Sequence, residues 1–333
     1  MTAPLRGLYV LREDVFDDVY GPDERQEIEK YVTVPSGPLS EAALRARPEV
    51  LADVDVLLSS WGCPRLDAEL LGHAPRLRAV FYAAGSVRNV VTQAVWDRGI
   101  AVVSAKQGIA ERVAEFAASL IFLSLKHFWR YQQAIRTERA WVKRWPVPGT
   151  VASTVGLVSL GSVGHLVARR LAGSQLHVIA HDPYASPEGA ARADCALVDL
   201  GELFATSDVV SLHAPLLPET AGMIGARLLA GMKEGATIIN TSRGGVLDHD
   251  ALVTVLTGRP DLTAVLDVTD PEPPPPGSAL YTLPNVVMTP HIAGNLSRER
   301  RALGRGIARE VERFAAGETL HWSVQPSSMA HSA

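Results

Sequence analysis

The chain has 333 residues, a formal net charge of −4 and 47% hydrophobic residues, which is enough for two packed domains and excludes wholesale disorder. It has no block of basic residues, which argues against a nucleic-acid partner, and no apolar run approaching the roughly 20 residues of a bilayer span. Acidic residues near the start argue against a secretory leader, so we expect a cytoplasmic protein with no membrane association. Cys63 and Cys195 form no metal-ligand pattern, so we expect no metal site.

Short apolar runs alternate with helical stretches along the chain. In chain order, the candidate strands are 8–11, 55–61, 77–84, 100–105, 154–160, 175–182, 208–215, 236–242, 262–268 and 285–290. Most are continuous apolar runs, as in parallel strands that are buried on both faces. Helical stretches such as 162–172 and 248–257 lie between them, so the pattern predicts a doubly wound α/β fold. We expect two sheets, because so many strands are unusual in a single open sheet.

The middle and the end of the chain bear on how these sheets are divided. A long apolar stretch at roughly 110–139 predicts one helix, which separates the early strands from the later ones, and 145–150 has the composition of a linker. A final helix is predicted at roughly 295–316. This last helix could return to pack on the first domain, although the pattern alone does not require it.

The stretch VGLVSLGSVG, residues 155–164, runs from a predicted strand into a turn and a helix. Gly161 and Gly164 stand at the second and third positions of the dinucleotide fingerprint G-x-G-x-x-G. In these positions they would admit a pyrophosphate and allow close packing of helix on strand. Ser159 stands at the first position, and we interpret this small, turn-compatible residue as a local variation.

An acidic residue completes the nucleotide pattern. Asp182 ends the next predicted strand about 20 residues after the turn, where a carboxylate can accept hydrogen bonds from both adenosine ribose hydroxyls. The same charge would repel the 2′-phosphate of NADP, so NAD is favoured. Ser162 and Val163 open the helix and would offer N–H groups to the pyrophosphate. Taken alone, Asp182 is explained about equally well as a turn former before Pro183.

Three ionisable residues, Arg243, Glu272 and His291, each follow one of the last three predicted strands. Ligands of open α/β sheets lie beyond the carboxyl ends of the strands, where the nicotinamide is expected. Arginine can grip a carboxylate and polarise a carbonyl, and histidine can transfer the alcohol proton. A neighbouring glutamate would orient the imidazole and favour its charged form. Each residue alone has an ordinary structural explanation, but together they predict a hydride-transfer site.

These segments resemble the D-isomer-specific 2-hydroxyacid dehydrogenase family. The similar stretches are VGLVSLGSVG, VSLHAPLLPETAGMIG, INTSRGGVLD, LDVTDPEP and LPNVVMTPHIAG, which keep the family's order over most of 100–300. Residues 1–75 are similar only in strand–helix rhythm. The resemblance implies two Rossmann-like domains, with an NAD-binding domain at 107–293 inserted into a substrate-binding domain at 1–106 and 294–333. It also implies a homodimer that forms through the cofactor domain, a role that would suit the apolar central helix.

The resemblance implies roles for individual residues as well. Arg243 would orient and polarise the substrate, His291 would be the acid/base, and Glu272 would be its partner. Beyond Gly161, Ser162, Val163 and Asp182, the implied cofactor contacts are His213, Ala214, Pro215, Thr220, Thr241, Asp267 and Gly294. Among these, Asp267 would lie near the nicotinamide carboxamide.

The loop YAAGSVRN, residues 82–89, matches the family's substrate loop, in which N–H groups of Ala84, Gly85 and Ser86 would bind the substrate carboxylate. Arg88 departs from the family, since many relatives carry Asp there. A salt-bridged surface role is favoured, but an Arg88 that faces the cleft would suit a dianionic substrate. The expected activity is NAD(H)-dependent interconversion of a small-molecule D-2-hydroxyacid and its 2-oxoacid. The alternatives are an NAD(H)-sensing corepressor that binds proteins and a dehydrogenase acting on phosphite or a phosphonate.

Overall fold

The computed structural model describes residues 5–329 and divides the chain into two compact units. The inserted unit is Ala110–Gly294, and the discontinuous unit consists of the chain up to Ile109 and from Asn295 onward. Each unit is built on one parallel sheet with flanking helices. The predicted α/β class with two Rossmann-like sheets is confirmed.

The elements of residues 5–329 follow in chain order. The strands are β1 (Leu5–Val10), β2 (Val32–Thr33), β3 (Val56–Ser59), β4 (Ala79–Tyr82), β5 (Ala101–Ser104), β6 (Val151–Val158), β7 (Gln175–His181), β8 (Ala196–Leu197), β9 (Val209–Leu212), β10 (Thr237–Asn240), β11 (Thr263–Leu266) and β12 (Val286–Met288). The α-helices are α1 (Phe16–Val19), α2 (Pro22–Glu29), α3 (Glu41–Ala46), α4 (Ala68–Gly72), α5 (Gln93–Asp97), α6 (Lys106–Leu125), α7 (Phe128–Glu138), α8 (Ser162–Leu171), α9 (Pro187–Arg192), α10 (Leu200–Thr206), α11 (Ala226–Ala230), α12 (His249–Gly258) and α13 (Arg300–Ala316).

The discontinuous unit contains a parallel sheet in the order β2-β1-β3-β4-β5. Neighbouring residues of one strand enter different core clusters, since Val80 packs on one face and Phe81 on the other. Leu303 and Ile307 of α13 are fully buried in the cluster that contains Phe81. The sheet is therefore covered on both faces, and the C-terminal helix supplies part of one covering layer.

The inserted unit contains a parallel sheet in the order β12-β11-β10-β9-β6-β7-β8. The chain runs from β6 outward through β7 and β8, and then returns to β9 on the other side of β6 before continuing to β12. The strand order therefore reverses between β6 and β9. In open α/β sheets this reversal leaves a crevice at the carboxyl ends of the two strands, and ligands bind there.

The sequence pattern and the structure differ in two places. The apolar stretch predicted as one helix over 110–139 forms two helices, α6 and α7, because His127 between them has a left-handed backbone (φ +52°) that a right-handed helix cannot continue through. The strands β2 and β8 were not predicted, since two residues are too short to carry a periodic signal. Across residues 5–329, no helix is both long enough and apolar enough to cross a membrane, and no group of acidic, histidine and cysteine side chains is placed to hold a metal ion.

Candidate active site

The turn between β6 and α8 carries the nucleotide fingerprint. A β-carbon on Gly164 would lie only 2.1 Å from the carbonyl oxygen of Ser159, so a glycine is required for helix and strand to approach this closely. Gly161 is the N-terminal cap of α8 and has no side chain to bond the first-turn N–H groups, which include those of Ser162 and Val163. A glycine-lined helix start with uncapped N–H groups fits a pyrophosphate.

Asp182 directly follows β7 and bonds back to this turn. Its Oδ2 accepts hydrogen bonds from Ser159 Oγ (3.1 Å) and from the Leu160 main-chain N–H (2.8 Å), and its Oδ1 accepts one from the Tyr184 N–H (2.8 Å). Asp182 lines a cavity of about 420 Å³ together with His181, Leu197, Val198, Asp199 and Glu202. The carboxylate is thus fixed by the chain and accessible from a cavity.

Asp199 and Glu202 were not predicted as site residues. Asp199 occupies the N-cap position of α10 without a side-chain capping bond, and Glu202 lies in the first turn of this helix, which follows the unpredicted strand β8. With Asp182 they give the cavity three carboxylates. The sequence signal that could have found them is the acid pair D-x-x-E that opens a helix at the edge of the nucleotide-binding sheet.

Residues 213–215 follow β9, and the nucleotide turn follows β6, so the two segments border the crevice where the strand order reverses. The His213 N–H donates to the Val158 carbonyl (2.8 Å). Its ring is buried, and neither ring nitrogen has a hydrogen-bond partner among the described residues. Burial lowers the pKa of His213 to about 4, so the ring is neutral at pH 7. Two orphaned polar atoms beside the crevice fit a site that a polar ligand completes.

The other residues predicted near the cofactor in this segment have partners within the chain. Ala214 is buried, and Thr220 Oγ1 donates to the Pro215 carbonyl (2.6 Å) while accepting the Leu217 N–H (2.8 Å). The Thr220 hydroxyl therefore closes the loop that carries Pro215.

Arg243 follows β10 in a loop shaped by Asn240, a residue that sequence reasoning missed. Asn240 Nδ2 donates to the Arg243 carbonyl (3.0 Å), and its Oδ1 accepts from the Ser242 N–H (3.0 Å) and hydroxyl (2.8 Å). Burial lowers the pKa of Arg243, and the negative charge of Glu272 acts in the opposite direction. Thr241 Oγ1 in this loop is buried without a partner among the described residues. The Arg243 guanidinium is thus a half-buried cation that interacts electrostatically with the Glu272 carboxylate.

His291 and Glu272 form a pair after β12 and β11. His291 Nδ1 lies 2.6 Å from Glu272 Oε1, and both side chains are about half exposed. An ionised carboxylate has only acceptors, so Nδ1 carries the proton of this bond and Nε2 is the nitrogen left to exchange a proton. Together with Arg243, the pair lies at the carboxyl ends of three adjacent strands. The structure therefore brings the three residues of the predicted trio together.

Asp267 holds the segment that carries His291. The Asp267 carboxylate is 2% exposed, and it accepts hydrogen bonds from Thr289 Oγ1 (2.6 Å) and from the N–H groups of Ile292 and Ala293 (both 2.8 Å). Its carbonyl accepts the His291 N–H (2.9 Å). His291 has a left-handed backbone (φ +55°), which this set of bonds holds in place. The half-buried Gly294 ends the same segment and the inserted unit.

The predicted substrate loop belongs to the discontinuous unit. The carbonyls of Ala84 and Gly85 accept hydrogen bonds from Ser104 Oγ (3.1 and 2.5 Å), so the carbonyls are engaged within the unit. Ser86 Oγ accepts the Arg88 N–H (3.4 Å), and the Arg88 side chain is exposed. The role of this loop in carboxylate binding stays a prediction.

Solved structures of known proteins share this fold. A crystal structure of a Thermus thermophilus protein is 28% identical to the chain, with a TM-score of 0.74 and coverage of 97% of this chain and 100% of the other. An NAD-complexed D-isomer specific 2-hydroxyacid dehydrogenase from Lactobacillus delbrueckii ssp. bulgaricus is 21% identical, with a TM-score of 0.77 and coverage of 96% and 100%. At 21% identity, the similarity to the Lactobacillus protein shows a shared fold only.

Sequence comparisons agree with the fold. D-3-phosphoglycerate dehydrogenase of Mycobacterium tuberculosis is 37% identical over 284 residues, which are 85% of this chain and 52% of the relative. The chain therefore spans about half the length of that relative. Glyoxylate reductase of Korarchaeum cryptofilum is 34% identical over 275 residues, which are 81% of this chain and 82% of the relative. Residues 118–293 match the model of the D-isomer specific 2-hydroxyacid dehydrogenase NAD binding domain. The chain belongs to the D-isomer specific 2-hydroxyacid dehydrogenase family.

Proposed function

We propose that the chain is an NAD(H)-dependent oxidoreductase that interconverts a D-2-hydroxyacid and its 2-oxoacid. The observation that carries this proposal is the 2.6 Å contact between His291 and Glu272, at the carboxyl ends of neighbouring strands and near the half-buried Arg243. A proton carrier, a carboxylate that orients it and a cation for the substrate carboxylate are what this chemistry requires. NAD(H), when bound, supplies the hydride acceptor or donor.

The residues of the inserted unit fit a dinucleotide. Gly161, Ser162 and Val163 would hold the pyrophosphate at the start of α8. Asp182, which lines the cavity, would accept a hydrogen bond from a ribose hydroxyl. On the adenine side, the contacts would come from His213, Ala214 and Pro215, with Thr220 and Thr241 nearby. Asp267 would lie near the nicotinamide carboxamide, and Gly294 would be a further cofactor contact. Because the cavity contains three carboxylates, a 2′-phosphate would be repelled, which supports NAD rather than NADP.

The chain's own groups would move one proton and hold one carboxylate. In oxidation, His291 Nε2 takes the hydroxyl proton, and Glu272 stabilises the imidazolium through Nδ1. In reduction the same nitrogen returns the proton to the new alkoxide oxygen. Arg243 pairs with the substrate carboxylate and polarises the adjacent carbonyl, and its partial burial strengthens both interactions.

A panel of 2-oxoacids with NADH, followed at the nicotinamide absorbance, tests the proposal. We expect NADH oxidation with at least one small 2-oxoacid and much weaker oxidation of NADPH. Tight NADH binding without turnover of any acid would refute the enzymatic proposal and favour an NAD(H)-sensing protein. Phosphite and phosphonates with NAD form a second arm, and turnover only in that arm would replace the substrate class.

We propose further that the protein is a homodimer that forms through the inserted unit. Large hydrophobic side chains on and after α6 and α7 are exposed in the single chain, namely Leu123, Phe128, Ile135, Trp141 and Val151, and Trp141 is 90% exposed. Five of the ten large hydrophobic side chains that are exposed among the described residues fall within this stretch of the chain, and such a concentration is typical of a protein interface. Light scattering should give twice the mass of the chain. Trp141→Ser should shift the protein towards monomer, and a monomeric wild-type chain would refute the proposal.

A further inference from the structure

The turn after β6 contains a side-chain contact that the dinucleotide fingerprint does not require. The Ser159 hydroxyl donates to Asp182 Oδ2 (3.1 Å) and accepts the Gly161 N–H (3.3 Å). The Ser159 N–H donates to the His181 carbonyl (2.8 Å), directly before Asp182. Ser159 therefore joins the glycine turn to the end of β7 through both its main chain and its side chain.

Ser159 makes this contact from a strained backbone position. Ser159 has φ +80°, in the region where glycine is favoured and other residues are strained. A glycine would adopt this turn without strain, as the fingerprint expects. Compared with glycine, serine is strained at this position but adds a hydroxyl, which lies between Asp182 and the N–H of Gly161.

The hydroxyl also changes what Asp182 can offer a ligand. A carboxylate has about four lone-pair positions. Ser159 and Leu160 fill both positions of Oδ2, and the Tyr184 N–H fills one of Oδ1. Among the residues that the structure describes, one position of Oδ1 therefore stays without a partner, on a carboxylate that lines the cavity of about 420 Å³.

We propose that Ser159 is a positioning residue that fixes the Asp182 carboxylate for a ribose hydrogen bond and thereby sharpens the preference for NAD(H) over NADP(H). The inference rests on the proposed function, since it concerns the same nucleotide site. With the hydroxyl in place, Asp182 keeps its charge directed at the ribose. Without it, the carboxylate is held on each oxygen by a single N–H and can turn away from a 2′-phosphate.

Two variants separate the hydroxyl from the backbone strain. Ser159→Gly removes both, whereas Ser159→Ala removes only the hydroxyl. We expect both variants to weaken NADH binding about 5-fold, the effect of one net hydrogen bond, and to leave NADPH binding unchanged or tighter. We expect Ser159→Gly to have the higher Tm of the two. Fluorescence titration gives both dissociation constants without turnover. Ser174→Ala removes a hydroxyl just after α8 and is the matched control, with no expected change.

A double-mutant cycle with Asp182→Ala decides whether the hydroxyl acts through the carboxylate. In the Asp182→Ala background, removing the Ser159 hydroxyl should not change NADH affinity further. A 5-fold loss that persists in this background would overturn the inference, as would NADH binding that stays unchanged in Ser159→Gly. Either result would leave the proposed function standing if the wild type binds NADH. A wild-type protein that binds neither nucleotide would overturn both.

Discussion

Replacing His291 tests the proposed proton transfer most directly. Asparagine is the suitable replacement, because His291 has a left-handed backbone (φ +55°) that asparagine tolerates better than alanine does. His291→Asn removes the ring nitrogen that would exchange a proton and introduces little backbone strain.

The structure separates the expected effects on rate and on binding. General acid–base catalysis contributes about 10²–10⁴-fold, so kcat should fall by that factor, equivalent to about 3–5 kcal/mol in the barrier. The segment itself is held by the His291 main-chain N–H on the Asp267 carbonyl and by the Asp267 carboxylate on Ile292 and Ala293. None of these bonds involves the imidazole ring. NADH affinity and Tm should therefore stay near the wild-type values.

Steady-state kinetics with a 2-oxoacid, NADH titration and thermal unfolding give the three quantities. His177→Asn is the matched control, since His177 is an exposed histidine of β7 in the same unit. Glu272→Gln should lower kcat less than His291→Asn does, and the double variant should be no slower than His291→Asn alone. Near-normal turnover of His291→Asn would refute the assignment. A further loss on adding Glu272→Gln would refute the action of Glu272 through His291.

Two further predictions concern the nucleotide site. Gly164→Ala should weaken NADH binding and lower Tm, because its β-carbon would meet the Ser159 carbonyl oxygen at 2.1 Å. The control Gly201→Ala has open space in α10, so it should leave NADH binding unchanged and Tm unchanged or higher. Equal behaviour of the two variants would contradict the close approach at Gly164. The pKa of His213 is about 4 in the folded chain against 6.5 ordinarily, so the unfolded state binds more protons between these values. Because of His213, the free energy of unfolding should therefore fall by up to about 3 kcal/mol as the pH falls from 6.5 to 4. Urea unfolding at pH 7 and pH 5 should show a smaller loss for His213→Gln than for the wild type, and equal losses would contradict the burial argument.

The sheets and the trio could be predicted because their signals are local or topological. Parallel strands that are covered on both faces are continuous apolar runs. Such runs mark the buried strands β10 and β11 and the partly buried edge strand β12. Residues after such strands meet at one edge of the sheet, so Arg243, Glu272 and His291 could be placed together before any distance was known. The pattern failed where a single backbone angle decided the outcome, as at His127, whose left-handed conformation divides the apolar stretch into two helices.

Side-chain contacts between distant segments could not be predicted from spacing. Ser159 had a local explanation as a variant turn residue, but its hydroxyl bonds to Asp182 on the next strand. Asp199 and Glu202 join Asp182 in one cavity only because β8 adds to the edge of the sheet beside β7. A strand of two residues has no periodicity, so the sequence could not show which acids it would bring together.

Asp182 and Asp267 show how much of the site depends on such contacts. Each directly follows a strand, and each accepts main-chain N–H bonds from a loop that the site needs: the glycine turn for Asp182 and the His291 segment for Asp267. The sequence assigned both residues to the cofactor, but most of their bonding capacity goes to these loops. The loops contain strained positions, Ser159 and His291, that local sequence does not favour. The two carboxylates therefore fix the geometry in which a nucleotide and a proton carrier can act, and a change at either one should disturb loop order and ligand binding together.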